Sequence, residues 1–134
     1  VEFGTWVKNT MKKIILFSLL FQFGIASAAS YECKVTRKVG PENIVSESEL
    51  KKWQYSIKIH DNAKSELERC SFAPSQNMVT CDKYTVDKVE VDKFIGVKKF
   101  YYFRGQFDVQ LYQDMAFVEN NGRSSISFGR CKTL

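Results

Sequence analysis

Trp53-Gln54-Tyr55-Ser56-Ile57-Lys58-Ile59-His60 is the stretch that decides the fold. Its apolar residues, Trp53, Tyr55, Ile57 and Ile59, recur at every second position, and Gln54, Ser56, Lys58 and His60 fill the gaps. A period of two gives a pleated strand one apolar and one polar face. An amphipathic helix needs apolar positions three and four apart instead. Asp61-Asn62 ends the run with turn chemistry.

The same period runs outward in both directions. Upstream, Tyr31, Cys33 and Val35 alternate with Glu32, Lys34 and Thr36 until Gly40-Pro41 breaks the chain. Ser46 followed by Glu49 is a capping box and predicts a short helical turn over residues 47–52. Downstream, residues 67–72 and 78–82 form a hairpin about Pro74. Residues 84–91 read as another strand, with a change of parity between Val86 and Val89 that predicts a bulge or break near Asp87. Residues 97–103 and 106–112 flank the Arg104-Gly105 turn, residues 115–119 follow, and Asn121-Gly122 is a hairpin signal before residues 124–131. About eight short strands at this spacing predict a mainly β fold, a small antiparallel β-barrel or sandwich with one short helical turn.

Residues 1–28 belong to a different kind of sequence. Met11-Lys12-Lys13 is a positive opening, residues 14–25 are an apolar run broken by Ser18, Gln22 and Gly24, and Ala26-Ser27-Ala28 supplies small residues at a peptidase site. That run is about a dozen residues, against the ~20 a spanning helix needs. The reading is a secretory signal peptide over residues 11–28, upstream residues or a cloning remnant over 1–10, and one β domain over 29–134 with no membrane span after cleavage. The plain Lys-Lys opening is bacterial in character, so the expected location is periplasmic or secreted.

All four cysteines, Cys33, Cys70, Cys81 and Cys131, follow that leader. An even number in a small exported domain implies disulfides. The expected pairs are Cys70–Cys81, across the turn-rich residues 73–77, and Cys33–Cys131, tying the first strand to the last. No C-x-x-C pair is present and His60, the single histidine, is distant from every cysteine, so no structural metal is expected. Of the net charge of +5, residues 1–28 contribute +2 through Glu2, Lys8, Lys12 and Lys13, leaving +3. That balance is too weak to point to nucleic acid.

No catalytic or cofactor motif stands out. His60 beside Asp61 would need a nucleophile and an orienting group, which the sequence does not locate. Asp82, Asp87, Glu90 and Asp92 lack the spacing of a calcium loop and are interleaved with lysines. The stretch Phe100-Tyr101-Tyr102-Phe103, between Lys98-Lys99 and Arg104, carries aromatics on both faces of one strand. One face must point outward, and the contact surface expected from it is Lys98, Phe100, Tyr102 and Arg104. The function that fits is a small exported, disulfide-stabilised, non-catalytic binding protein of the bacterial envelope, inhibitor-, immunity- or adaptor-like, with a protein partner and no cofactor. The alternatives are an envelope hydrolase using Asp87, Glu90 or Asp108, and a carrier with a small ligand inside the barrel.

Overall fold

The computed structural model describes residues 28–134. Residues 1–10, and all of the expected leader except Ala28, lie outside the described residues. Strand β1 (Ala29–Val39) leads to helix α1 (Glu47–Trp53), then β2 (Ser56–Asp61), β3 (Glu66–Ala73), β4 (Met78–Thr85) and β5 (Lys88–Asp92). Strands β6 (Val97–Tyr102), β7 (Phe107–Leu111), β8 (Ala116–Asn120) and β9 (Ile126–Thr133) complete the chain. They form one antiparallel sheet in the order β4-β3-β2-β1-β9-β8-β7-β6-β5, curled into a half-barrel. The expected mainly β fold with one short helix is present, with nine strands instead of about eight.

One half of the capping box forms, while the Glu49 carboxylate accepts instead from Trp53 Nε1 at 2.7 Å. Glu49 N–H donates to Ser46 Oγ at 3.2 Å, and α1 ends at Gln54 in the left-handed conformation. The run expected over residues 84–91 divides. Tyr84 belongs to β4, and the chain leaves the sheet at Val86 and Asp87. Val86 N–H donates to Ser65 O at 3.0 Å and Asp87 N–H to Tyr101 O at 2.8 Å. These two bonds carry the chain from one arm of the curl to the other, which is why the parity changes there.

Both expected disulfides form. Cys33 sits directly opposite Cys131 on β1 and β9, and Cys70 opposite Cys81 on β3 and β4. Their sequence separations are 98 and 11 residues. In the chain-entropy model such loops contribute about 4.7 and about 3 kcal/mol, large beside a total stability of roughly 5–15 kcal/mol.

Strands β4 and β5 are the two edges of the sheet, and no ladder joins them. The curl closes through side chains. Ile57, Ile59, Leu67, Phe100, Val109 and Phe117 fill the interior, each at most 3% exposed. Tyr84 of β4 meets Phe107 edge-on with ring centres 4.9 Å apart, and Tyr102 at 5.1 Å. Arg69 Nε of β3 donates to Glu119 Oε2 of β8 at 2.9 Å, and Lys98 Nζ of β6 to Asp61 Oδ2 of β2. No helix among the described residues is long and apolar enough to cross a membrane.

The Arg69–Glu119 pair joins strands far apart in the sheet, and the Glu119 side chain is 3% exposed. Removing one partner of such a pair leaves a buried charge unmatched, at a cost of about 3–5 kcal/mol. Arg69→Met, which leaves the buried Glu119 carboxylate unmatched, is therefore expected to lower the unfolding free energy measured in urea by an amount in that range. The double variant Arg69→Met with Glu119→Leu is expected to recover most of it. A single variant as stable as the parent would show that the pair does not hold the arms together.

Candidate functional site

Strand β6 decides the functional reading, and register fixes its faces. The alternation Phe107-Asp108-Val109-Gln110-Leu111 puts Phe107, Val109 and Leu111 inside. Phe100 pairs with Val109 and Tyr101 with Asp108. Lys98, Phe100 and Tyr102 therefore face the interior and Lys99 and Tyr101 face outward, while Val97 at the strand's start is 5% exposed.

This corrects the expected contact surface. Phe100 is fully buried and belongs to the core. Tyr102 is half-buried between Tyr84 and Phe107. Lys98 turns inward to Asp61, with its side chain about a third exposed. Arg104 is exposed, in the turn between β6 and β7. The four residues do not form one surface. The outward set is Lys99, Tyr101 and Phe103, of which Phe103 is 52% exposed. Strand β7 carried the signal that would have settled the parity, because the Arg104-Gly105 turn fixes how the two strands pair.

The outer face of β5 and β6 is a small ionic lattice around Tyr101. The Tyr101 hydroxyl donates to Glu90 Oε2 at 2.6 Å, and Lys88 Nζ donates to Glu90 Oε1 at 3.1 Å. The Tyr101 bond first, and Lys88 second, hold the Glu90 carboxyl below the usual carboxylate range. A general acid needs the opposite shift. Asp87 accepts from Phe103 N–H at 2.7 Å and Asp108 from the Gln110 amide at 3.2 Å, both local structural bonds.

At one end of this hairpin is a feature the sequence reading missed. Asp92 Oδ1 accepts from Phe94 N–H at 2.9 Å and Ile95 N–H at 3.3 Å, and Gly96 N–H closes the turn on Asp92 O at 2.8 Å. Gly96 has φ +67°, a left-handed conformation that glycine adopts without strain. A turn with this many bonds is held in one shape, and it presents Phe94 at 96%, Val91 at 57% and Ile95 at 55% exposure. Single exposed apolar residues are ordinary on a protein surface. Here three lie within residues 91–95, at a braced hairpin end. The signal was readable in Asp92-Lys93-Phe94-Ile95-Gly96, an Asx turn closed by glycine.

His60 gains the partners that its sequence could not supply. Ser30 Oγ lies 2.9 Å from Nδ1 and Glu68 Oε2 lies 2.6 Å from Nε2. The serine–histidine–carboxylate order resembles a hydrolytic triad, but its setting does not. Ser30 sits opposite His60, and Glu68, opposite Lys58, reaches it diagonally, on the outer face of β1, β2 and β3, where backbone N–H groups are committed to ladders. An oxyanion needs free, convergent donors, and a flat sheet face provides none. The trio is a cross-strand structural network.

No protein-family model, curated protein or solved structure gives a significant match to this chain.

The His60 hydrogen bond is the main cause that lowers the Glu68 pKa, with burial opposing it. A carboxyl depressed in the folded state adds stability above its unfolded pKa and loses it as pH falls through the folded value. Stability is therefore expected to fall more steeply in the parent than in Glu68→Gln below about pH 4.3, the ordinary glutamate value. Urea unfolding at stepped pH measures this; parallel slopes would contradict it.

Proposed function

We propose that this chain is a small exported binding protein that works without catalysis, by docking the β5–β6 hairpin end onto a protein partner in the bacterial envelope or outside the cell. The observation that carries the reading is Phe94, 96% exposed on a turn braced by Asp92. Exposing such a side chain forgoes roughly 1.5–3 kcal/mol of burial. A contact with a partner recovers it, and a fixed turn has little conformational entropy left to lose on docking. The two intramolecular disulfides suit an oxidising compartment, and the signal-like residues 11–28 support export. Aromatic side chains at the centre of a small patch are common binding hot spots. An inhibitor, an immunity protein and an adaptor all use such a surface. The filled interior speaks against a lipid or pigment carried inside the curl.

The test uses oxidised protein spanning residues 29–134 as bait, with envelope and culture fractions, beside the double variant Phe94→Ala with Ile95→Ala. The parent is expected to retain one stoichiometric protein, and the variant to lose it with its thermal midpoint unchanged. Retention of the same partner by the variant, or no protein partner for the parent, would contradict the reading.

A further inference from the structure

The end of the curl away from the Phe94 turn, where β1 finishes, is not filled by apolar side chains. A cleft of about 170 Å³ opens there. Its charged lining is Lys38, Arg69, Asp82 and Glu119, and Tyr55 and Ser127 are among its other polar residues. The volume is below the range of drug-sized pockets, ~300 Å³ upward, so an occupant would have only a few heavy atoms.

Lys38 is there because of a β-bulge. Val35 pairs with Gly129 and faces the interior, but the register then shifts, so that Arg37 pairs with Phe128 and Lys38 with Ser127. Without the shift, a residue three positions after Val35 would point outward. With it, Thr36 and Arg37 both lie outside and Lys38 turns in beside Ser127. Bulges re-aim side chains in this way and recur next to functional sites. Gly129, opposite the bulge, permits the close approach, since a Cβ there would collide with Lys34 O and the Phe117 ring.

The cleft is rich in unused donors. Lys38 forms no ion pair among the described residues, and its ammonium sits over the Tyr55 ring, 4.4 Å from the centroid. Arg69 spends Nε on Glu119, and its two Nη groups make no hydrogen bond among the described residues. Ser127 is fully buried, and its Oγ has no partner among them either. A buried hydroxyl without a partner costs about 1–3 kcal/mol, so a folded domain retains one more readily where a ligand completes it.

We propose that this cleft binds a small monocarboxylate, held by Lys38 Nζ, the free Nη donors of Arg69 and Ser127 Oγ. A monoanion fits the charge. Glu119 neutralises Arg69, which leaves the charge of Lys38 for a monoanion, and the solvent-exposed Asp82 weighs further against a dianion. A carboxylate also matches the guanidinium fork. This site is independent of the hairpin reading and lies on other strands. The fold gains little from Lys38 itself. Burial, reinforced by Arg69 and opposed by Glu119, pushes its pKa below the ordinary lysine value, so its charge is held at a cost.

The experiment is an NMR titration of the oxidised domain with acetate, with inorganic phosphate and methylammonium as comparison probes. Saturable acetate binding in the millimolar range is expected, with shifts confined to the surroundings of Lys38, Arg69 and Ser127. Lys38→Met is expected to weaken it about tenfold or more with no loss of thermal midpoint. Ser127→Ala is expected to weaken it as well while unfolding at the same temperature or higher, which keeps the test decisive if the first variant folds poorly. No saturable acetate binding to the parent, acetate binding unchanged in both variants, or phosphate or methylammonium bound more tightly than acetate would overturn the proposal.

Discussion

The missing ladder between β4 and β5 governs the rest of the structure. A sheet that closed there by backbone pairing would be a full barrel with no edge. Here the chain spends Val86 and Asp87 on crossing between the arms, and closure falls to side chains. Tyr84 stacks edge-on against Phe107, Arg69 reaches Glu119 and Lys98 reaches Asp61. Because rings and ion pairs do this work, the interior is apolar in the middle and charged toward both ends.

That closure shapes both places where the molecule can make contacts. Strand β5 has nothing beyond it, so all five of its residues are exposed and the hairpin it forms with β6 is free to present Phe94. Edge strands risk unwanted pairing, and charged residues are a usual protection. Lys88, Glu90 and Asp92 alternate along this edge and serve that purpose, with Glu90 also fixing Tyr101. At the far end, the pair that closes the arms leaves donors over, and the bulge in β1 adds Lys38 to them.

Much of this was legible in the residues. Alternation gave the strands, except that Trp53 ends the helix and Gln54 caps it, so β2 starts only at Ser56; Ser46 and Glu49 gave the helix, and cysteine positions gave both disulfides. What failed was the choice of face on β6. Phe100-Tyr101-Tyr102-Phe103 is aromatic at every position, so alternation within it has nothing to say, and Phe100, expected on the contact surface, is fully buried. The alternation of the neighbouring strand β7 decides the parity, through the turn that pairs the two strands. Lys38 was unreadable for a related reason. A bulge leaves no mark in composition, and its effect depends on Gly129, 91 positions further along. The partners of His60 come from two other strands, and no local pattern brings them together.

The central claim is that the hairpin end is preorganised: its apolar residues are held out by a rigid turn and not left loose. Backbone 15N relaxation of residues 92–97 in the free, oxidised domain measures that directly. The account predicts order parameters at the level of the flanking strands, about 0.85. Values below about 0.6 at Phe94 and Ile95 would show a floppy loop tip, and docking through a preformed surface would then be contradicted.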